Sequence, residues 1–97
     1  MKTNNNKNTV EALAIAAKTS PNSIAGAIAS VINEKENVNV ELCCIGAAAV
    51  NQAVKGIAIA RGFLTPTGKD IAGVPSFFTT SINGEQRTGI KFYIKEI

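Results

Sequence analysis

The chain has 97 residues, 45% of them hydrophobic and only 5% aromatic, with a formal net charge of +3 and a pI near 9.1. That length fits one domain, and no run approaches the roughly 18 uncharged apolar residues that a membrane-crossing helix needs. Histidine is absent, Asp70 is the single aspartate and the six glutamates are scattered, so no carboxylate pair or histidine base stands out and no enzymatic activity is expected.

Residues 1–9, MKTNNNKNT, hold two lysines and no apolar stretch behind them. They read as a disordered Asn-rich tail and not as a signal peptide. Residues 10–97 read as a single domain without a linker. Val10 to Ala17 is short and apolar, with Leu13, Ile15 and Ala17 on one face, which predicts a strand. Thr19-Ser20-Pro21 then marks a helix start. Ser20 can cap the free amides, and the missing N–H of Pro21 suits the first helical position. Ile24, Ile28, Val31 and Ile32 follow at helical spacing, and the polar run Glu34 to Asn37 ends that helix. Val38, Val40, Leu42 and Cys44 alternate with Asn39, Glu41 and Cys43 as a half-buried strand.

Gly46 to Gly62, GAAAVNQAVKGIAIARG, predicts a helix closed by Gly62, with Lys55 its only charge before Arg61. A helix with one apolar stripe packs on its own core; one apolar on most faces needs cover on a second side as well. A chain this short has no second core layer to supply it. A second copy is therefore the expected cover, giving a homodimer or higher assembly with Val50, Val54, Ile59 and Phe63 at the interface. Thr65-Pro66-Thr67-Gly68 is a loop. Ile71 to Phe78 is a third strand, and Pro75 places it at a sheet edge because it cannot donate a ladder hydrogen bond. Asn83-Gly84 is a hairpin turn signal. Ile90, Phe92 and Ile94 alternate with Lys91, Tyr93 and Lys95 in the clearest strand of the chain.

The element order is βαβαββ, an α/β chain folded as a two-layer α+β sandwich. Two βα units imply parallel strands joined by right-handed crossovers. Sheet order 1-2-4-3 satisfies both the edge strand and the hairpin, with two helices on one face.

This topology gathers both helix N-termini, the C-terminal ends of strands 1 to 3 and the hairpin at one end of the sheet. Helix N-termini present free amides and partial positive charge, which suit phosphate. Lys18, Ser20 and Asn22 fall at the first helix start, Asn51, Gln52 and Lys55 near the second, and Arg87 leaves the hairpin. No carboxylate occurs between Glu41 and Asp70. These seven residues are the candidate phosphate-backbone contacts, with Lys18 and Arg87 foremost. Other roles stay open: Ser20 and Asn22 as caps only, Asn51 and Gln52 bonded across a dimer interface, Lys55 snorkelling from a buried helix. Arg61, in the last helical turn, reads as structural or interfacial. Lys91-x-Tyr93-x-Lys95 is a second basic surface, but one tyrosine is less than an RNA-recognition sheet uses, and solvated outward residues account for it.

Cys43 and Cys44 are adjacent on a strand and point to opposite faces, so they do not bridge each other. They read as buried free thiols in a reducing cytoplasm. No metal, cofactor or small-molecule substrate is expected.

Three motifs carry a resemblance: AKTSPNSIAGAIA (Ala17 to Ala29), the Gly46 to Gly62 segment, and NGEQRTGIKFYI (Asn83 to Ile94). In order and spacing they closely resemble the stage V sporulation protein S family over roughly residues 10 to 97. The resemblance implies an Alba-like fold with the same strand order, nucleic-acid binding, and a part in sporulation control. In Alba-like proteins the corresponding loop and hairpin approach the nucleic acid, at the same end as Lys18 to Asn22 and Arg87. The chain departs from the family's frequent GAGALNQAVKA at Ala48, Val50 and Gly56. Its second glycine is missing, so no dinucleotide fingerprint follows. The resulting expectation is a nucleic-acid-binding regulator, DNA or RNA; the opposing class is an oligomeric protein-interaction module.

Overall fold

The computed structural model describes residues 9–34 and 38–97. Strand β1 (Thr9–Ile15) leads to helix α1 (Pro21–Glu34), then β2 (Val38–Cys44), α2 (Ala47–Leu64), a short 3-10 turn (Thr65–Thr67), β3 (Ile71–Ile82) and β4 (Glu85–Glu96). The expected tail, apart from Thr9, lies outside the described residues, as does the polar link over 35–37.

The sheet runs β1-β2-β4-β3, with β1 and β2 parallel and β4 antiparallel to both its neighbours. The predicted order holds, and Pro75 lies on the edge strand β3. Register aligns Leu13 with Leu42 and Leu42 with Phe92, so one face collects Ile15, Val40, Leu42, Cys44, Phe92 and Ile94. Both helices cover that face. From α1 come Ile24, Ala25, Ile28 and Val31; from α2 come Ala49, Ala53, Ala60 and Leu64. Burying a side chain such as Ile28 or Leu42 stabilises by about 1.5–3 kcal/mol. The shortest molecular extent, 17 Å, admits two layers and leaves the far side of the sheet uncovered.

The small residues along α2 let the helices approach closely. At Gly56 an added Cβ would lie 2.5 Å from Ile24 Cγ2, so only glycine fits. Gly62 does not end this helix, contrary to expectation. It is exposed, and the chain stays helical for two more residues because Leu64 is fully buried against the core. The stop comes after the 3-10 turn that replaces the expected loop. There Gly68 takes φ 86° and its N–H donates to Thr65 O at 3.0 Å.

Strand β3 also runs past Phe78, to Ile82. The turn that follows has φ 52° at Asn83 and 81° at Gly84, the geometry of a two-residue hairpin loop. Strand β2 stops at Cys44, opposite Ile90, which itself faces Phe77. Beyond that row, Phe78–Ile82 and Glu85–Gly89 pair with each other alone among the described residues. They form an arm projecting about 16 Å. Gly89 marks its root: a Cβ there would strike the Cys44 carbonyl oxygen, the Ile45 side chain and the Phe78 ring.

Candidate functional site

The β1–α1 connection is built by short-range bonds. Thr19 N–H donates to Ala16 O at 3.1 Å, and Ala16 N–H donates to Thr19 Oγ1 at 2.8 Å. Ser23 N–H donates to Ser20 Oγ at 3.4 Å, so Ser20 serves as the α1 cap. Gln52 Nε2, from the second turn of α2, donates to Thr19 O at 2.8 Å. That bond joins two segments 33 residues apart and assigns the Gln52 amide to the loop backbone, where the sequence left a phosphate or a partner chain open.

Through this contact Lys18, Asn22, Asn51 and Lys55 share one end of the molecule, all exposed. Asn51 and Lys55 stand one turn apart on the outer face of α2. Among the described residues neither lysine has an ion-pair partner. Helix α2 begins at Gly46, φ 94°, without a side-chain cap, and its first turn carries no acid. Its free amides and partial positive charge therefore face the same end.

Between the α2 start and the arm lies an open cleft of about 420 Å³, whose apolar walls include Val50, Phe77 and Ile90. Such a lining suits apolar groups and not an anion.

Arg87 is not brought into this cluster. It lies opposite Thr80 on the arm, about 10 Å beyond Ile90. Counting by alternation from Ile90, its side chain belongs to the face away from the helices. The sequence placed Arg87 at the hairpin end of the sheet, where it lies, but could not fix its side.

The four expected interface residues divide as well. Val54 and Phe63 are exposed, at 49% and 53%, while Val50 and Ile59 are half-buried. Helical geometry sets Val50 and Val54 on one flank of α2 and Ile59 and Phe63 about 140° or more around the axis. One contact surface cannot hold all four. The Val50–Val54 flank adjoins Phe77, which is 79% exposed and which the sequence reading did not single out. Its signal was an aromatic two positions from an edge proline.

The opposite end of the molecule is tied by charge. Arg61 donates to Asp70 through Nε at 2.8 Å and Nη2 at 3.0 Å, so Arg61 is structural within the chain. These bonds, with the Ile71 N–H that Asp70 also accepts, hold the Asp70 carboxyl below its ordinary range. Lys69 Nζ donates to Ile32 O at 3.3 Å, near the α1 end. Cys44 is buried, and Cys43 is only half-buried on the open side of the sheet, where the sequence reading had both buried. Burial pushes both thiols up, and for Cys43 the nearby Glu41 adds to the effect.

No described helix is long and apolar enough to cross a membrane. Compared with known proteins, residues 11–97 match the model of the family described as stage V sporulation protein S.

Proposed function

The chain belongs to the stage V sporulation protein S family and is a sporulation-related protein; from that premise we propose that it is a cytoplasmic regulator that binds nucleic acid by the phosphate backbone. The observation that carries this reading is the Gln52–Thr19 bond, which sets Lys18 and Lys55 at one end beside the uncapped start of α2. The arm bearing Arg87 projects from that same end. Lys18, Lys55 and Arg87 contact phosphates, and Asn22 and Asn51 add hydrogen bonds; such contacts position a nucleic acid without reading its sequence. The protein acts as a homodimer or higher assembly through the Val54 flank of α2.

A second reading, an oligomeric protein-interaction module without nucleic acid, is favoured by the exposed apolar pair Val54 and Phe77. Fluorescence anisotropy with labelled duplex DNA and single-stranded RNA, at low and near-physiological salt, separates the two. The first reading expects micromolar or tighter binding that weakens with salt. Lys18→Ala with Arg87→Ala lowers affinity and reduces the log–log salt slope by about 1.8, the loss of two phosphate contacts. Absence of binding at low salt selects the interaction module.

A further inference from the structure

We propose that the uncovered face of the sheet is a stacking platform for single-stranded nucleic acid, with Tyr93 as its aromatic and Lys91 and Lys95 as its backbone contacts. This rests on the nucleic-acid reading above and adds a second surface to it, on the opposite side of the sheet from the helices.

The register builds the platform. Phe92 and Ile94 point into the core, so Lys91, Tyr93 and Lys95 point away from it, and Arg87 continues the same column onto the arm. Tyr93 stands in the row Ala12, Glu41, Tyr93, Val74 across all four strands. The neighbouring β3 positions are small: Ala72 faces Lys95 and Ser76 faces Lys91. No large side chain rises beside the Tyr93 ring on that strand except Val74, itself 47% exposed. A half-buried ring with its surroundings kept low is a floor on which a base can lie.

Charge decides the occupant. Along this column three cations stand against Glu41 and Glu85. Glu41 is engaged by Lys91 at 3.6 Å, and Glu85 lies at the arm tip. Lys95 is left beside Tyr93 without an ion-pair partner among the described residues, and Arg87 stands about 20 Å along the same column, beyond Gly89. A flexible polyanion with exposed base faces matches cations flanking an aromatic; a duplex, whose bases are stacked internally, does not. Phe78 shares this face, over Gly89, but stacking on either ring reads no base edge, so the platform is tolerant of base identity.

Tyr93 is the only tyrosine and there is no tryptophan, so intrinsic emission reports on this ring alone. The full chain is titrated with an oligothymidylate, following tyrosine emission and, in parallel, anisotropy of a labelled copy. The platform expects saturable quenching with the same midpoint as the anisotropy. It also expects Tyr93→Leu to weaken single-strand binding about tenfold, Tyr93→Phe to retain it, and duplex binding to be unchanged by either. Binding without quenching of the wild-type tyrosine overturns the platform and leaves the phosphate-backbone reading standing. Binding of neither single strand nor duplex overturns both. The quenching arm uses wild-type protein, so it decides the matter even if Tyr93→Leu fails to fold.

Discussion

Gly56 of α2 faces Ile24 of α1 so closely that a Cβ on the glycine would stand 2.5 Å from Ile24 Cγ2 and 2.7 Å from its Cβ. Helix propensity favours alanine over glycine by about 1 kcal/mol at an exposed helical site. Here overpacking, about 1–3 kcal/mol, opposes it and wins, because a branched, fully packed side chain cannot swing aside. Gly56→Ala is expected to lower unfolding free energy by up to about 2 kcal/mol in urea titration. Gly62→Ala, with nothing within 4 Å, is expected to raise it by up to about 1 kcal/mol. Equal effects at the two sites would refute the close contact.

The Arg61–Asp70 bridge sets a pH dependence. Asp70 titrates below its ordinary value of 3.8 in the folded chain, chiefly through the Arg61 hydrogen bonds. A depressed folded pKa gives stability that is present above the unfolded pKa and lost as pH falls through the folded one. Wild type is therefore expected to exceed Asp70→Asn in melting temperature at pH 7, with the gap closing below about pH 4. The pair is solvated, so the gap is small and shrinks in high salt. A gap that persists at pH 2 would contradict the assignment.

Assembly should depend on one flank of α2. Val54→Glu places a charge on the exposed Val50–Val54 flank of α2 and is expected to yield monomer in analytical ultracentrifugation. Phe63→Glu, on the other flank, is expected to leave the assembly state unchanged. The reverse pattern would move the interface to the Ile59–Phe63 side.

The adjacent thiols should differ in reactivity. Both are raised by desolvation, but Cys44 is fully buried while Cys43 is half-exposed on the sheet. With a thiol-reactive chromophore at pH 8, Cys43 is expected to react slowly and Cys44 only on unfolding. Simultaneous labelling of both in folded protein would contradict their opposite orientation.

Much of the fold was legible because its signals are local. Pro75 announces an edge, Asn83-Gly84 a tight hairpin, and Ser20-Pro21 a helix start; each acts through its own backbone. Where long-range packing decided, the reading failed. Gly62 looked like a stop, but burial of Leu64 outweighs a glycine that keeps helical geometry. The strand pattern fades after Phe78 because Thr79, Thr80 and Ser81 show no burial period, β4 being their only partner among the described residues. The candidate site was legible as an end of the molecule and not as a geometry. Nothing near Gln52 in sequence announces that its amide meets Thr19, and the side taken by Arg87 follows only from the register at Ile90.

The arm has a thermodynamic consequence of its own. A two-stranded ribbon without a third neighbour or a packed face is marginal in water, so its ladder opens more readily than the rows anchored by Cys44. A ligand that grips Arg87 alone must offset the entropy of stilling that ribbon. A ligand that also touches the rigid helix end spreads this cost over contacts already in place, so, on the proposed nucleic-acid reading, a long strand is expected to gain affinity over a short one by more than its added charge.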